Sequence, residues 1–337
     1  MKPVYYSEYL QLDKILNAQE EESKKHGVRA DDEMLFIIIH QSYELWFKQM
    51  LHEVGIVREI FLKQNIEDNS ADMHTAVHRM KRVGIILQML VDKITILETM
   101  TPLDFLDFRD FLRPASGFQS IQFKMLEALL GLPFDQRFGQ QYYISQLNEA
   151  DIARVKNAEH EISLFTLVND WLSRMPFLKD AAYWSEGNDF FDSYRMLYEA
   201  TLQEGEKQNL ASFDEMFMKK NESGTRRLSI DSNRAAVFIM LFRDYPLLHT
   251  PYQFINTLLD IDELLAQWRY RHMNMVQRMI GRRIGTGGST GAHYLKNAAD
   301  THYIFKEFAD LTSFLIQRNK LPALPENLAN KLGYAGK

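Results

Sequence analysis

The chain has no cysteine among its 337 residues. That excludes disulfides, Cys-ligated zinc, iron–sulfur clusters, thiolate-ligated haem and covalent c-type haem. Any metal must be held by histidine, carboxylate or tyrosine. A non-covalent haem on one histidine and a two-His-one-carboxylate iron site both stay open. No run of about 18 apolar residues occurs, so no transmembrane helix is expected. The first residues, MKPVYYSEYLQLDK, lack the apolar centre of a signal peptide, and a cytoplasmic protein is expected. Positive charge is not in excess. The 39 Lys and Arg against 45 Asp and Glu leave a net charge of −6, which argues against nucleic acid as the main partner. Period-2 alternation and the Asn-Gly or Asp-Gly hairpin signals are also missing, so strands are not expected.

Helical periodicity is present along almost the whole chain. Asp31-Asp32-Glu33 opens an apolar-periodic run to about Leu62, and Ser70 opens another through Leu97. Thr101-Pro102 and Thr250-Pro251 each place a capping hydroxyl before a proline suited to a first helical position. Gly131 and Pro133 close a helix begun near Gln119. Further helical runs are predicted over about 149–174, 188–221, 231–243 and 294–317. The reading is all-α, one domain over 1–337, with 1–16 as an N-terminal arm and about 145–225 as a less characteristic helical subdomain.

Four stretches carry chemistry. The first is Arg271–Gly291, RHMNMVQRMIGRRIGTGGSTG. His272 lies in an apolar stripe, with Trp268 and Leu265 one and two turns before it and Met275, Val276 and Met279 after it. Gly281 ends the helix, and four glycines within Gly285–Gly291 let a backbone approach a ligand closely. No Gly-Lys-Ser/Thr follows, so this is not a P-loop. The second is a face made of Phe36, His40, Tyr43 and Phe47. A histidine on such a face is either a hydrogen-bonded core residue or a ligand. With two of them, one could hold a metal while the other faces the open position.

The third is Thr101–Ser120, TPLDFLDFRDFLRPASGFQS. Phe105 and Arg109 share one helical face. Arg109 either pairs on the surface with Asp104, Asp107 or Asp110, or lies among Phe105, Phe108 and Leu112 and needs a ligand anion for its planar fork. Ser116 follows in the terminating turn. The fourth is the amphipathic start with Tyr6, Tyr9 and Leu10, which suggests docking, on this chain or on another subunit. His74 and His78 have metal-pair spacing, but no third ligand is near and a solvated face is expected.

DEMLFIIIHQSYELWFKQM, DFRDFLRPASGFQS, WRYRHMNMVQRMIGRRIGTGGSTG and YSEYLQLDKILNAQ together resemble the tryptophan 2,3-dioxygenase family, from about Tyr6 to about Leu321, with 132–225 matching only loosely. The resemblance implies an all-α fold around a non-covalent haem b, ferrous when active, in a homotetramer built as a dimer of dimers. It implies cleavage of the indole C2–C3 bond of L-tryptophan with O2 to N-formyl-L-kynurenine, the first step of tryptophan catabolism by the kynurenine pathway. His272 matches the proximal axial ligand to the haem iron, and His40 the distal histidine that faces the indole N–H. Phe36 matches an aromatic wall of the indole pocket, and Phe105 falls where members carry Tyr or Phe. Arg109 matches the carboxylate-binding residue, Thr286 the hydroxyl at the amino-acid end, and Ser116 the serine beside the distal face. Tyr6, Tyr9 and Leu10 match residues that complete a neighbouring subunit's pocket. A related haem oxygenase acting on a modified indole, and a haem-binding sensor without turnover, are the alternatives.

Overall fold

The computed structural model describes residues 3–63, 70–134, 147–184, 189–219, 226–281, 283, 285 and 291–333, without the side chains of 291–295. Among the described residues there are helices and no strands. In chain order they are α1 (Tyr6–Tyr9), α2 (Leu12–Leu16), α3 (Glu22–Lys25), α4 (Glu33–Phe61), α5 (Ala71–Leu97), α6 (Pro102–Arg109), α7 (Ile121–Leu130) and α8 (Glu149–His160). Then follow α9 (Leu164–Ser173), α10 (Phe190–Thr201), α11 (Asn209–Phe217), α12 (Ile230–Leu241), α13 (Pro246–Ile280), α14 (Gly291–Thr301), α15 (Lys306–Asp310) and α16 (Glu326–Leu332). No described helix is long and apolar enough to cross a membrane.

The three longest helices form the frame. α5 packs against both α4 and α13, and α7 packs on α4. Their apolar stripes meet in one core: Met50, Val54 and Val57 from α4, Met80, Leu87 and Leu90 from α5, and Phe254, Leu258, Ile261 and Leu265 from α13 are all buried. The same core continues into α9 to α12, where Phe190, Phe191, Tyr194, Phe213 and Phe217 pack together. α9, α10 and α11 thus share their apolar interior with the long helices.

Local signals set most boundaries. The Ser70 hydroxyl accepts from Met73 N–H at 3.3 Å, and Thr101 with Asp104 forms a reciprocal capping box at the start of α6. Gly281 ends α13 at φ 57° and Gly131 ends α7 at φ 121°.

Four expectations are corrected. Thr250-Pro251 does not open a helix: α13 starts at Pro246 and runs through Pro251. Burial of Leu248, Pro251 and Phe254 offsets the roughly 3 kcal/mol an interior proline costs. The run at 149–174 breaks before Ser163, whose hydroxyl caps Thr166 N–H at 3.2 Å. The run at 188–221 breaks between Thr201 and Asn209 around a 3₁₀ turn, Glu204–Glu206. The run at 294–317 breaks after Thr301, where buried Asp262 of α13 accepts Ile304 N–H at 2.9 Å and Phe305 N–H at 2.6 Å. That last cap comes from a residue 42 positions away, so local sequence carries no sign of it.

Gly131 supports one stability prediction. A Cβ there would lie 2.6 Å from Phe165 Cβ and 3.0 Å from Ser163 Oγ. Both the contact and the positive φ disfavour alanine, so Gly131→Ala should cost about 2–4 kcal/mol. Thermal unfolding checks it; an unchanged Tm would mean that the α7–α9 junction yields without cost.

Candidate active site

α4 and α6 bring four aromatic rings to one place. Phe36 packs on His40 with ring centroids 4.1 Å apart, on Phe105 at 5.6 Å and on Phe108 at 5.5 Å. Phe105 and Phe108 meet edge to face at 5.4 Å. The spacing is the reason: Phe36 and His40 are one turn apart on α4, and Phe105 and Phe108 one turn apart on α6.

His40 has a defined tautomer. Its Nδ1 lies 2.6 Å from the Phe36 carbonyl oxygen, which can only accept, so Nδ1 carries the hydrogen. Nε2 is left as an acceptor. Burial holds the His40 pKa below its usual value, against the Phe36 hydrogen bond and the Glu44 charge. The ring is therefore neutral at neutral pH.

Arg109 ends α6 and is 5% exposed. That burial favours the interior alternative over an exposed surface pair.

α13 supplies the other side. Trp268 stacks on His272 with centroids 5.2 Å apart and planes 19° apart. Trp268 also meets Tyr43 at 6.3 Å and Phe47 at 6.1 Å on α4, one and two turns beyond His40. Phe123 of α7 closes on it at 4.8 Å. Burial lowers the His272 pKa to about 4, and the His40 ring pushes the same way. Its Nδ1 is buried with no hydrogen-bond partner among the described residues. His272 is thus a neutral imidazole, the protonation state a metal-ligating histidine must have. Among the described residues no group of three His, Cys, Asp or Glu side chains is placed to hold a metal ion. A lone imidazole is what these residues present, and such a donor would suit a haem iron.

Ser116 caps the 3₁₀ turn Gly117–Gln119, accepting Phe118 N–H at 3.4 Å. Tyr6 and Tyr9 are 75% and 76% exposed, and Leu10 is half-buried. Thr286 lies outside the described residues. His74 and His78 are exposed, and His78 contacts Arg82 at 3.0 Å. Sequence reading missed Phe123, because α7 carries no motif and its contact with Trp268 joins residues far apart in the chain. It also missed the buried ion pair of Arg269 with Glu127, 2.6 Å, which ties α13 to α7 three residues before His272.

Comparison with known proteins gives one answer. The family model described as tryptophan 2,3-dioxygenase matches residues 1–221 and 204–315. A tryptophan 2,3-dioxygenase of Alteromonas mediterranea is 43% identical across 99% of this chain and 98% of its own. That of Dictyostelium discoideum is 42% identical across 99% of this chain and 89% of its own. That of Xenopus tropicalis is 39% identical across 95% and 84%. With two helices converging on a neutral histidine pair inside aromatic walls, and a family match over nearly its whole length, this chain belongs to the tryptophan 2,3-dioxygenase family.

Proposed function

We propose that this protein is a haem-dependent dioxygenase that cleaves the indole C2–C3 bond of L-tryptophan with O2 to give N-formyl-L-kynurenine. Family membership supports the activity. The observation that carries the site is the packing of neutral His40 with Phe36 and Phe105, the last on the helix that ends in buried Arg109, together with neutral His272 on α13. His272 would hold haem b as the proximal ligand. When bound, ferrous haem supplies the activation of O2 that a closed-shell indole otherwise lacks.

The chain's own residues do the positioning. Nε2 of His40 accepts the indole N–H, since Nδ1 is committed to the Phe36 carbonyl. Phe36 and Phe105 flank the ring and exclude water from it. Arg109 receives the substrate carboxylate with its planar fork, and Thr286 the amino-acid end. Ser116 borders the distal side. Held in this way, the C2–C3 bond is presented in one orientation, which replaces a random encounter by a fixed one. Tyr6, Tyr9 and Leu10 complete the pocket of a neighbouring subunit in a homotetramer, a dimer of dimers. The protein acts in the cytoplasm.

The test is a Soret band in the purified protein together with oxygen-dependent product absorbance from L-tryptophan. A Soret band without turnover would identify a haem-binding sensor; turnover only of a modified indole would identify a different oxygenase.

Arg109→Ala should leave the haem spectrum nearly intact and weaken tryptophan binding roughly ten- to a hundred-fold, as loss of a charge-assisted bond of about 1.5–3 kcal/mol requires. Arg109→Lys should also be poor, because a point charge does not reproduce the fork. Unchanged tryptophan saturation in Arg109→Ala would remove the carboxylate role.

A further inference from the structure

Glu33 is the first residue of α4 and is only 1% exposed. A carboxylate is costly to bury unless its oxygens are hydrogen-bonded. One oxygen accepts the Glu22 N–H at 2.8 Å and the other the Ser23 N–H at 2.9 Å. These are the leading amides of α3, which is four residues long and has no side-chain cap of its own at its N-cap position. A single turn does not hold its shape alone, so what grips its ends decides where it sits. Glu33 grips the start. At the end, His26 stacks on Phe111 with centroids 4.6 Å apart and planes 11° apart.

α3 also packs on α6 and on the 3₁₀ turn Asp110–Leu112. Arg109 is the last residue of α6 and the N-cap of that turn. α3 is therefore a strut from the start of α4 to the turn that carries Arg109. Phe36 lies one turn beyond Glu33 on the same helix. Gln41, next to His40, ties the chain leading into the strut, donating to the Ala18 carbonyl at 2.9 Å and accepting from the Gln19 amide at 2.7 Å.

We infer that Glu33 is a positioning residue for the substrate carboxylate: by gripping α3 it fixes the Arg109 turn relative to the Phe36–His40 face. This rests on the reading of Arg109 as the carboxylate-binding residue. Glu33 itself touches neither substrate nor cofactor. A bidentate guanidinium–carboxylate pair depends on geometry, and a displacement of about 1 Å is enough to lose one of its two bonds. Loosening the strut should therefore reduce recognition of the carboxylate and spare recognition of the indole ring.

The experiment uses the haem-loaded full-length protein. KM and kcat for L-tryptophan are measured in Glu33→Ala, Glu33→Gln and His26→Ala, with Arg109→Ala as reference. Binding of 3-methylindole, which has the ring and no carboxylate, is followed by the Soret shift. Glu33→Ala should raise KM for tryptophan about ten-fold with kcat within about two-fold, and Glu33→Gln about three-fold, since an amide keeps one acceptor oxygen. His26→Ala should act in the same direction. The affinity for 3-methylindole should not change. Should Glu33→Ala fail to fold, Glu33→Gln and His26→Ala decide the matter. Wild-type tryptophan KM in the Glu33 and His26 variants, with KM raised in Arg109→Ala, would overturn the strut alone. A parallel loss of tryptophan and 3-methylindole binding would overturn it in favour of a general structural role. An unchanged KM in Arg109→Ala would overturn the Arg109 reading, and the inference with it.

Discussion

Replacing His272 with alanine is expected to abolish stable haem binding, whereas His40→Ala should retain the haem and lose activity. The two histidines are both neutral at neutral pH, but their ring nitrogens are committed differently. His40 spends Nδ1 on its own helix and offers one acceptor nitrogen, which suits a contact with a substrate N–H. His272 has a buried Nδ1 with no hydrogen-bond partner among the described residues, and its ring stacks on Trp268. With no cysteine in the chain, no thiolate can take over the axial role. The check is the Soret band of each purified variant, with tryptophan turnover alongside. If His272→Ala keeps a normal band and His40→Ala loses it, the two faces are reversed.

Deleting residues 1–12 should impair turnover far more than folding. Val4, Tyr5, Tyr6 and Tyr9 are 69%, 67%, 75% and 76% exposed, and α1 buries none of its residues. A four-residue helix with its aromatics in water has little to keep it ordered in a single chain. The expected reason for that exposure is a partner subunit whose pocket the arm covers. Mixed oligomers discriminate. A truncated chain with an intact His272 and Arg109 is combined with a full-length chain carrying His272→Ala. Neither alone should work well. In the mixture the full-length arm can cover the truncated chain's intact site, and activity should partly return. No recovery in confirmed mixed oligomers would mean that each chain covers its own pocket or that the arm is dispensable.

The sequence by itself determined whatever depends on neighbours within about one helical turn. The starts of α5 and α6 follow from Ser70 and the Thr101–Asp104 box, and the ends of α7 and α13 from Gly131 and Gly281. The shared face of Phe36 and His40, and the apolar stripe around His272, are consequences of 3.6-residue periodicity alone. The absence of cysteine restricted the metal chemistry before any fold was known. Tertiary structure decided what depends on distant partners. Arg109 had equal claims to surface and interior until the folded chain left it only 5% exposed. The break after Thr301 comes from the Asp262 carboxylate, and the uninterrupted passage of α13 through Pro251 from burial on its apolar side. The Trp268–Phe123 ring contact and the Arg269–Glu127 pair set the surroundings of His272 through residues that no local pattern links, the ion pair spanning 142 positions. Caps and periodicity are short-range interactions written in adjacent residues. Burial and long-range hydrogen bonds arise only once the chain has closed on itself, and these gave the histidines and the arginine their surroundings.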